Sequence, residues 1–253
     1  MTIRTFSLGH SEPLAWPMDQ TQLDNLGETL LVSPCPGAAH GYLPPSEAVY
    51  VQQVEQVREV RVLVRAGTWP SDFMVEHLGS SEMSPILEKY LSLSTSTVHK
   101  AADAVRRDHP FDIWDLVVSK YAADEGIAQA TPADHQGDAF VESVLRRAAA
   151  HQLIAEGLNK AFDVKYAFGT ARPIEYYDPS LQRFATPNHP ECPAGHGAFS
   201  GAASKAFETL FSPTQAQIDA VEFATKQYAM FRSLSAMHIP YSNLLGWQIG
   251  HEA

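Results

Sequence analysis

Long hydrophobic runs are missing from this chain. No stretch of about 18 apolar residues occurs in it, which excludes a membrane-spanning helix. The opening MTIRTFSLGHSEPLAWPMD lacks an apolar central region and does not read as a secretory signal. Cysteine is scarce: Cys35 and Cys192 lie far apart and exclude a zinc ribbon or a CxxC redox pair. Two free thiols in a reducing compartment fit that usage, and the sequence predicts a cytoplasmic protein without a membrane span. Basic residues are also few, with 18 Lys and Arg against 29 Asp and Glu and a net charge of −11. That balance excludes a general nucleic-acid binder, which needs a basic face for phosphate contacts. Alternating Val/Ile/Thr segments and internal repeats are absent too, which argues against sheets and solenoids. What remains is a 253-residue chain, 45% hydrophobic and 19% charged, with the composition of an ordinary globular protein.

Residues 1–46 are rich in Pro, Gly and Ser and predict an extended N-terminal segment packed on a core. Residues 47–253 predict a helical bundle. SEAVYVQQVEQVREVRVLVRAG places valines at helical spacing, with Ser46 as N-cap and Gly67 as stop. Two further helices are expected at 83–93 and 95–107, ended by His109-Pro110, and a short one in FDIWDLVVSKYAAD. The longest periodic run, from GDAFVESV onward, is expected to continue until Arg172-Pro173 breaks it. A helix from about Gly197 to Phe211 follows, then one opening at Ser212-Pro213 and reaching about His238, and a last one in SNLLGWQIG. The fold class is all-α, a single-domain bundle.

Three places in the last third gather cationic or titratable residues at helix ends. They are Lys165 with Arg172, the turn Pro193-Ala194-Gly195-His196, and Arg232 with His238. Singly, each has a plain explanation as a helix-dipole partner, a turn or a cap. Together, one Lys and two Arg offer hydrogen-bond forks for a tetrahedral oxyanion. The glycines around His196 let backbone N–H groups approach an anion at a helix start. The two histidines add a nucleophile or ligand and a proton donor.

Lys165, six residues, Arg172-Pro173; then PAGH; then Arg232, five residues, His238, resembles the three-part signature of the type-2 phosphatidic acid phosphatase and vanadium-dependent haloperoxidase superfamily. Gaps of 19 and 35 residues between the parts are also similar to the family's. HPECPAGHGAFSGAA is closest in text to the haloperoxidase-like branch. The resemblance implies that 47–253 is a catalytic helical bundle holding vanadate, or phosphate as its isostere. It implies that Lys165, Arg172, Gly195 and Arg232 bind the oxyanion. His238 would ligate vanadium or, in the phosphatases, attack phosphorus, and His196 would be the acid/base.

Two positions depart from the pattern. Ala194 stands where the family usually has Ser, and Ser242 stands where the phosphatases usually have Asp to orient the imidazole. Asn243 is a candidate to help orient that ring, and Asp163, Glu175, Asp178 and Glu191 are candidates to pair with the arginines. The expected function is halide oxidation by hydrogen peroxide. The alternatives are a soluble acid phosphatase working through a phospho-histidine and a non-catalytic oxyanion-binding module. A zinc site from His189, His196, His238 and His251 is a weaker rival, since HExxH is absent. The partner is therefore a small molecule, either peroxide and halide or a phosphate ester, and a homo-oligomer is left open.

Overall fold

A computed structural model of the chain describes residues 39–88, 102, 105, 112–121, 138–173, 187 and 189–253. The described residues are helical, with no strand among them. The helices are α1 (Glu47–Arg65), α2 (Ser71–Leu78), α3 (Asp112–Tyr121), α4 (Asp138–Phe168), α5 (Gly195–Leu210), α6 (Gln215–Leu234) and α7 (Pro240–His251). The all-α expectation therefore holds. Most of the expected extended segment, Cys35 and most of the helices at 83–93 and 95–107 lie outside the described residues.

α1 forms as its sequence predicts. The Ser46 side chain accepts from the Val49 N–H, and Tyr50, Val54, Val57 and Val64 make one buried stripe at helical spacing. α2 was not anticipated; its eight residues bury only Phe73 and Met74, too short a pattern for periodicity to reveal.

Several boundaries differ from expectation. α4 ends at Phe168 rather than at Arg172-Pro173, because Gly169 takes a left-handed φ of 61° and its N–H returns to the Lys165 carbonyl. α5 begins at Gly195, so His196 lies inside the first turn instead of ahead of it. Thr214, not Ser212, caps α6: its hydroxyl and the Gln217 side chain form a reciprocal capping box that satisfies two end N–H groups. α6 stops at Leu234, short of His238, where the chain turns through Ala236 at a φ of 58°.

α5 is the central helix. Residues 197–204 are all buried, the pattern of a helix enclosed by others. It packs on α3, α4, α6 and α7. Its crossing with α7 is backbone on backbone: a Cβ at Gly201 would overlap the Trp247 carbonyl, and one at Gly250 the Ala198 carbonyl. Phe199, Phe207, Ile154, Val117, Tyr228 and Phe231 fill the main core around it. This arrangement sets the N-terminus of α5 against the loops that end α4 and precede α7.

Candidate functional site

The C-terminal end of α4 carries Lys165 in its last turn. Beyond Gly169 the chain runs beside residues 189–193: the Glu191 N–H donates to the Thr170 carbonyl at 2.8 Å and the Cys192 N–H to the Thr170 hydroxyl at 2.7 Å. Tyr50 of α1 fixes the same stretch by donating to the Ala171 carbonyl at 2.6 Å. Arg172 is thereby carried to the loop before α5, where it donates to the carbonyls of Met237 at 3.1 Å and His189 at 3.2 Å. Lys165 donates to the carbonyls of Pro190 and Glu191 at 3.0 and 2.7 Å.

His238 lies in the turn between α6 and α7. Arg61 of α1 donates to the Leu234 carbonyl and closes the end of α6. The Ser233 hydroxyl donates to the His238 carbonyl at 2.9 Å and accepts from the Asn243 amide at 2.8 Å. Asn243 thus holds the backbone of His238 and does not touch its ring. The ring is held elsewhere: Nδ1 lies 3.0 Å from Glu191 Oε1, and Nε2 lies 3.4 Å from Arg172 Nη1. Glu191 also accepts from the Ile239 N–H at 3.0 Å on Oε1 and from the Ser242 hydroxyl on Oε2.

Lys165, Arg172 and Arg232 are 0%, 2% and 3% exposed. Glu191 is the one buried carboxylate among the described residues. Burial first, then the Arg172 and Arg232 charges, pushes the Lys165 ammonium well below its ordinary pKa, with Glu191 opposing. Burial raises the Glu191 carboxyl to about 7, against the pull of Ser242, Lys165 and the Ile239 N–H. Transfer of a proton from Lys165 to Glu191 leaves the count unchanged, so the pocket carries two net positive charges. The His196 ring is held well below its ordinary pKa by burial and then Arg232, and that of His238 by burial and then Arg172. Both shifts favour the neutral ring at pH 7.

The cations and histidines named from the sequence thus share one electrostatic neighbourhood, with Arg232 acting on Lys165, His196 and His238 alike. The first turn of α5 faces them with no side-chain cap at Ala194 and no acidic residue. Gly195 has room for a Cβ, which would meet Leu158 at 3.4 Å. Gly197 does not: its Cβ would strike the Asn243 carbonyl, so packing against α7 requires this glycine. His196 Nε2 lies 2.9 Å from the Val105 carbonyl, which can only accept, so Nε2 carries the proton and Nδ1 the lone pair.

The fold is similar to that of a vanadium-dependent iodoperoxidase. Over 96% of its length the chain superposes on a bacterial vanadium-dependent iodoperoxidase with a TM-score of 0.53 at 15% identity. It spans 60% of that enzyme's length. No family model matches the sequence. No curated protein matches it either.

Of the acidic residues expected near the arginines, Glu191 feels the Arg172 charge and makes its own hydrogen bonds elsewhere. Glu191 bonds His238 and Ser242, while Asp163 lies 3.5 Å from His40; Glu175 and Asp178 lie outside the described residues. The zinc alternative fails, since among the described residues no group of three or more His, Cys, Asp or Glu is placed to hold a metal. His251 stacks on Trp247 at the far end of α7. Sequence reasoning missed the roles of Thr170, Glu191 and Ser242. HPEC offered a signal for Glu191, but its distance from His238 along the chain concealed the contact.

Proposed function

We propose that this chain is an oxyanion-site enzyme of the vanadate-dependent haloperoxidase type, oxidising halide with hydrogen peroxide. One observation carries the reading: the side chains of Arg172, Arg232 and Lys165 are buried with the His238 ring, beside His196 and a helix N-terminus without a side-chain cap, against a single carboxylate. Buried like charges repel, and a tetrahedral dianion with oxygens facing forked donors offsets that cost. The donor set therefore fits vanadate, and phosphate equally. Lys165, Arg172, Arg232 and the Gly195 N–H would hold its oxygens, and His238 Nε2 would be the ligand to vanadium. When bound, vanadate supplies Lewis-acid activation of peroxide toward halide.

The chain's own residues supply the rest. Arg172 only donates, so its 3.4 Å approach marks His238 Nε2 as the ring's acceptor, and an electrophilic centre bound there would take the place of that contact. His196, protonated at Nε2, keeps the Nδ1 lone pair, which could accept a proton and return it to a leaving oxygen. A bound anion's negative charge raises the pKa of both rings toward the range where proton exchange at neutral pH is efficient.

A second reading, a phosphatase attacking through His238 Nε2, is favoured by the carboxylate behind that ring, which increases its nucleophilicity. Assays on the full chain separate the two. Vanadate, peroxide and bromide or iodide should halogenate a phenolic dye, with no product when vanadate is omitted. Turnover of a phosphomonoester without peroxide would favour the phosphatase. Phosphate binding with neither activity would leave a binding module.

A further inference from the structure

We infer that Glu191 is the positioning carboxylate of His238, taking from the loop before α5 the role that the signature assigns to residue 242. The inference rests on the reading of His238 Nε2 as the atom that meets the oxyanion. Four contacts lead to it. The His238 Nδ1 to Glu191 Oε1 distance of 3.0 Å puts a proton on Nδ1 when Glu191 is ionised, because a carboxylate only accepts. The Arg172 Nη1 contact, longer at 3.4 Å, accords with the same tautomer without fixing it, because a guanidinium only donates. The Ile239 N–H and the Ser242 hydroxyl then bond the two oxygens of Glu191 and fix its plane.

Ser242 thereby acquires a reason. It sits in the first turn of α7, fully buried, with its hydroxyl on Glu191. An aspartate there would set a second carboxylate against the first, and like charges in a buried site disfavour each other. The pair Glu191 and Ser242 is one carboxylate and one donor, the carboxylate standing in the loop before α5 and the donor at residue 242. A ligand imidazole normally gives its second N–H to such a partner, which sets the tautomer and raises the basicity of the ligating nitrogen.

The test uses the full chain labelled with 15N-histidine, His238 being assigned by comparison with His238→Gln. The wild type is expected to show His238 protonated at Nδ1 and bare at Nε2, without any anion added. Glu191→Gln should keep that tautomer, since its amide oxygen still accepts, and Glu191→Leu should lose it. A wild-type ring protonated at Nε2, or an unchanged tautomer in folded Glu191→Leu, overturns the inference. If Glu191→Leu does not fold, an exchange of residues decides. Ser242→Asp alone should weaken inorganic phosphate binding about 10-fold or more. Adding Glu191→Gln to it should restore affinity to within about threefold of the wild type, as coupled neighbours do. A Ser242→Asp protein that binds phosphate as the wild type does overturns the inference. A wild type that binds no phosphate and turns over nothing defeats the proposed function, while the tautomer measurement still judges Glu191.

Discussion

Arg172 touches the Met237 and His189 carbonyls and the His238 ring, so its planar fork is fixed before any ligand arrives. Replacing it with alanine should weaken phosphate or vanadate binding by about 10- to 100-fold, the range of one or two charge-assisted hydrogen bonds. Arg172→Lys should recover little of this, because an ammonium cannot hold two carbonyls and an oxyanion in one plane. Isothermal titration with inorganic phosphate measures both; lysine at full wild-type affinity would contradict the fork. At this scale the sequence was informative for cations and histidines, whose types and spacing name their chemistry. It was uninformative about which group Glu191 would meet, because a carboxylate's partner is set by distance in space, and 47 residues separate it from His238.

Helices reach the site through two devices of different kinds. One is local: the capping box of Thr214 and Gln217 starts α6, and Thr214→Ala should cost about 1 kcal/mol. The other is tertiary: Gly201 and Gly250 let α5 and α7 meet backbone to backbone. Gly201→Ala or Gly250→Ala should destabilise by about 1–3 kcal/mol or more, since backbone cannot yield as a side chain can. Gly195→Ala should leave the packing nearly intact, its nearest neighbour being the mobile end of Leu158. Urea denaturation of the variants decides among these, and equal losses at Gly195 and Gly201 would refute the distinction. Helix existence was legible wherever apolar spacing ran long, as in α1 and α4. The ends were less so: the cap at Thr214 outcompeted Ser212-Pro213, and Gly169 ended α4 before proline could.

For the molecule as a whole, the buried imidazoles make stability depend on pH. Burial first, then the neighbouring cations, lowers the rings of His189, His196 and His238. The unfolded chain protonates these rings near pH 6.5 while the native protein does not, so their contribution is full above that pH and drains as pH falls. Glu191, raised to about 7, has the opposite sign, its stabilisation being lost as pH rises through that value. Three rings outweigh one carboxyl, and stability should fall by about 1–3 kcal/mol per pH unit below 6.5 in buffers free of phosphate. A urea midpoint that stays level from pH 7 to 5.5 would count against neutral buried rings. Adding vanadate or phosphate at about 100 times its Kd should raise stability by about 2.7 kcal/mol at neutral pH, read as an upward shift of Tm.

The sequence by itself determined the all-α class and named residues whose chemistry suits an oxyanion, because periodicity and side-chain chemistry are properties of the chain alone. It also excluded a membrane-spanning helix, and among the described residues no helix is long and apolar enough to be one. Only the tertiary structure decided which carboxylate stands behind His238, why residue 242 is a serine, and that Gly197 serves packing. Each of those depends on segments distant in sequence being brought within about 3 Å, the range at which hydrogen bonds and steric overlap act.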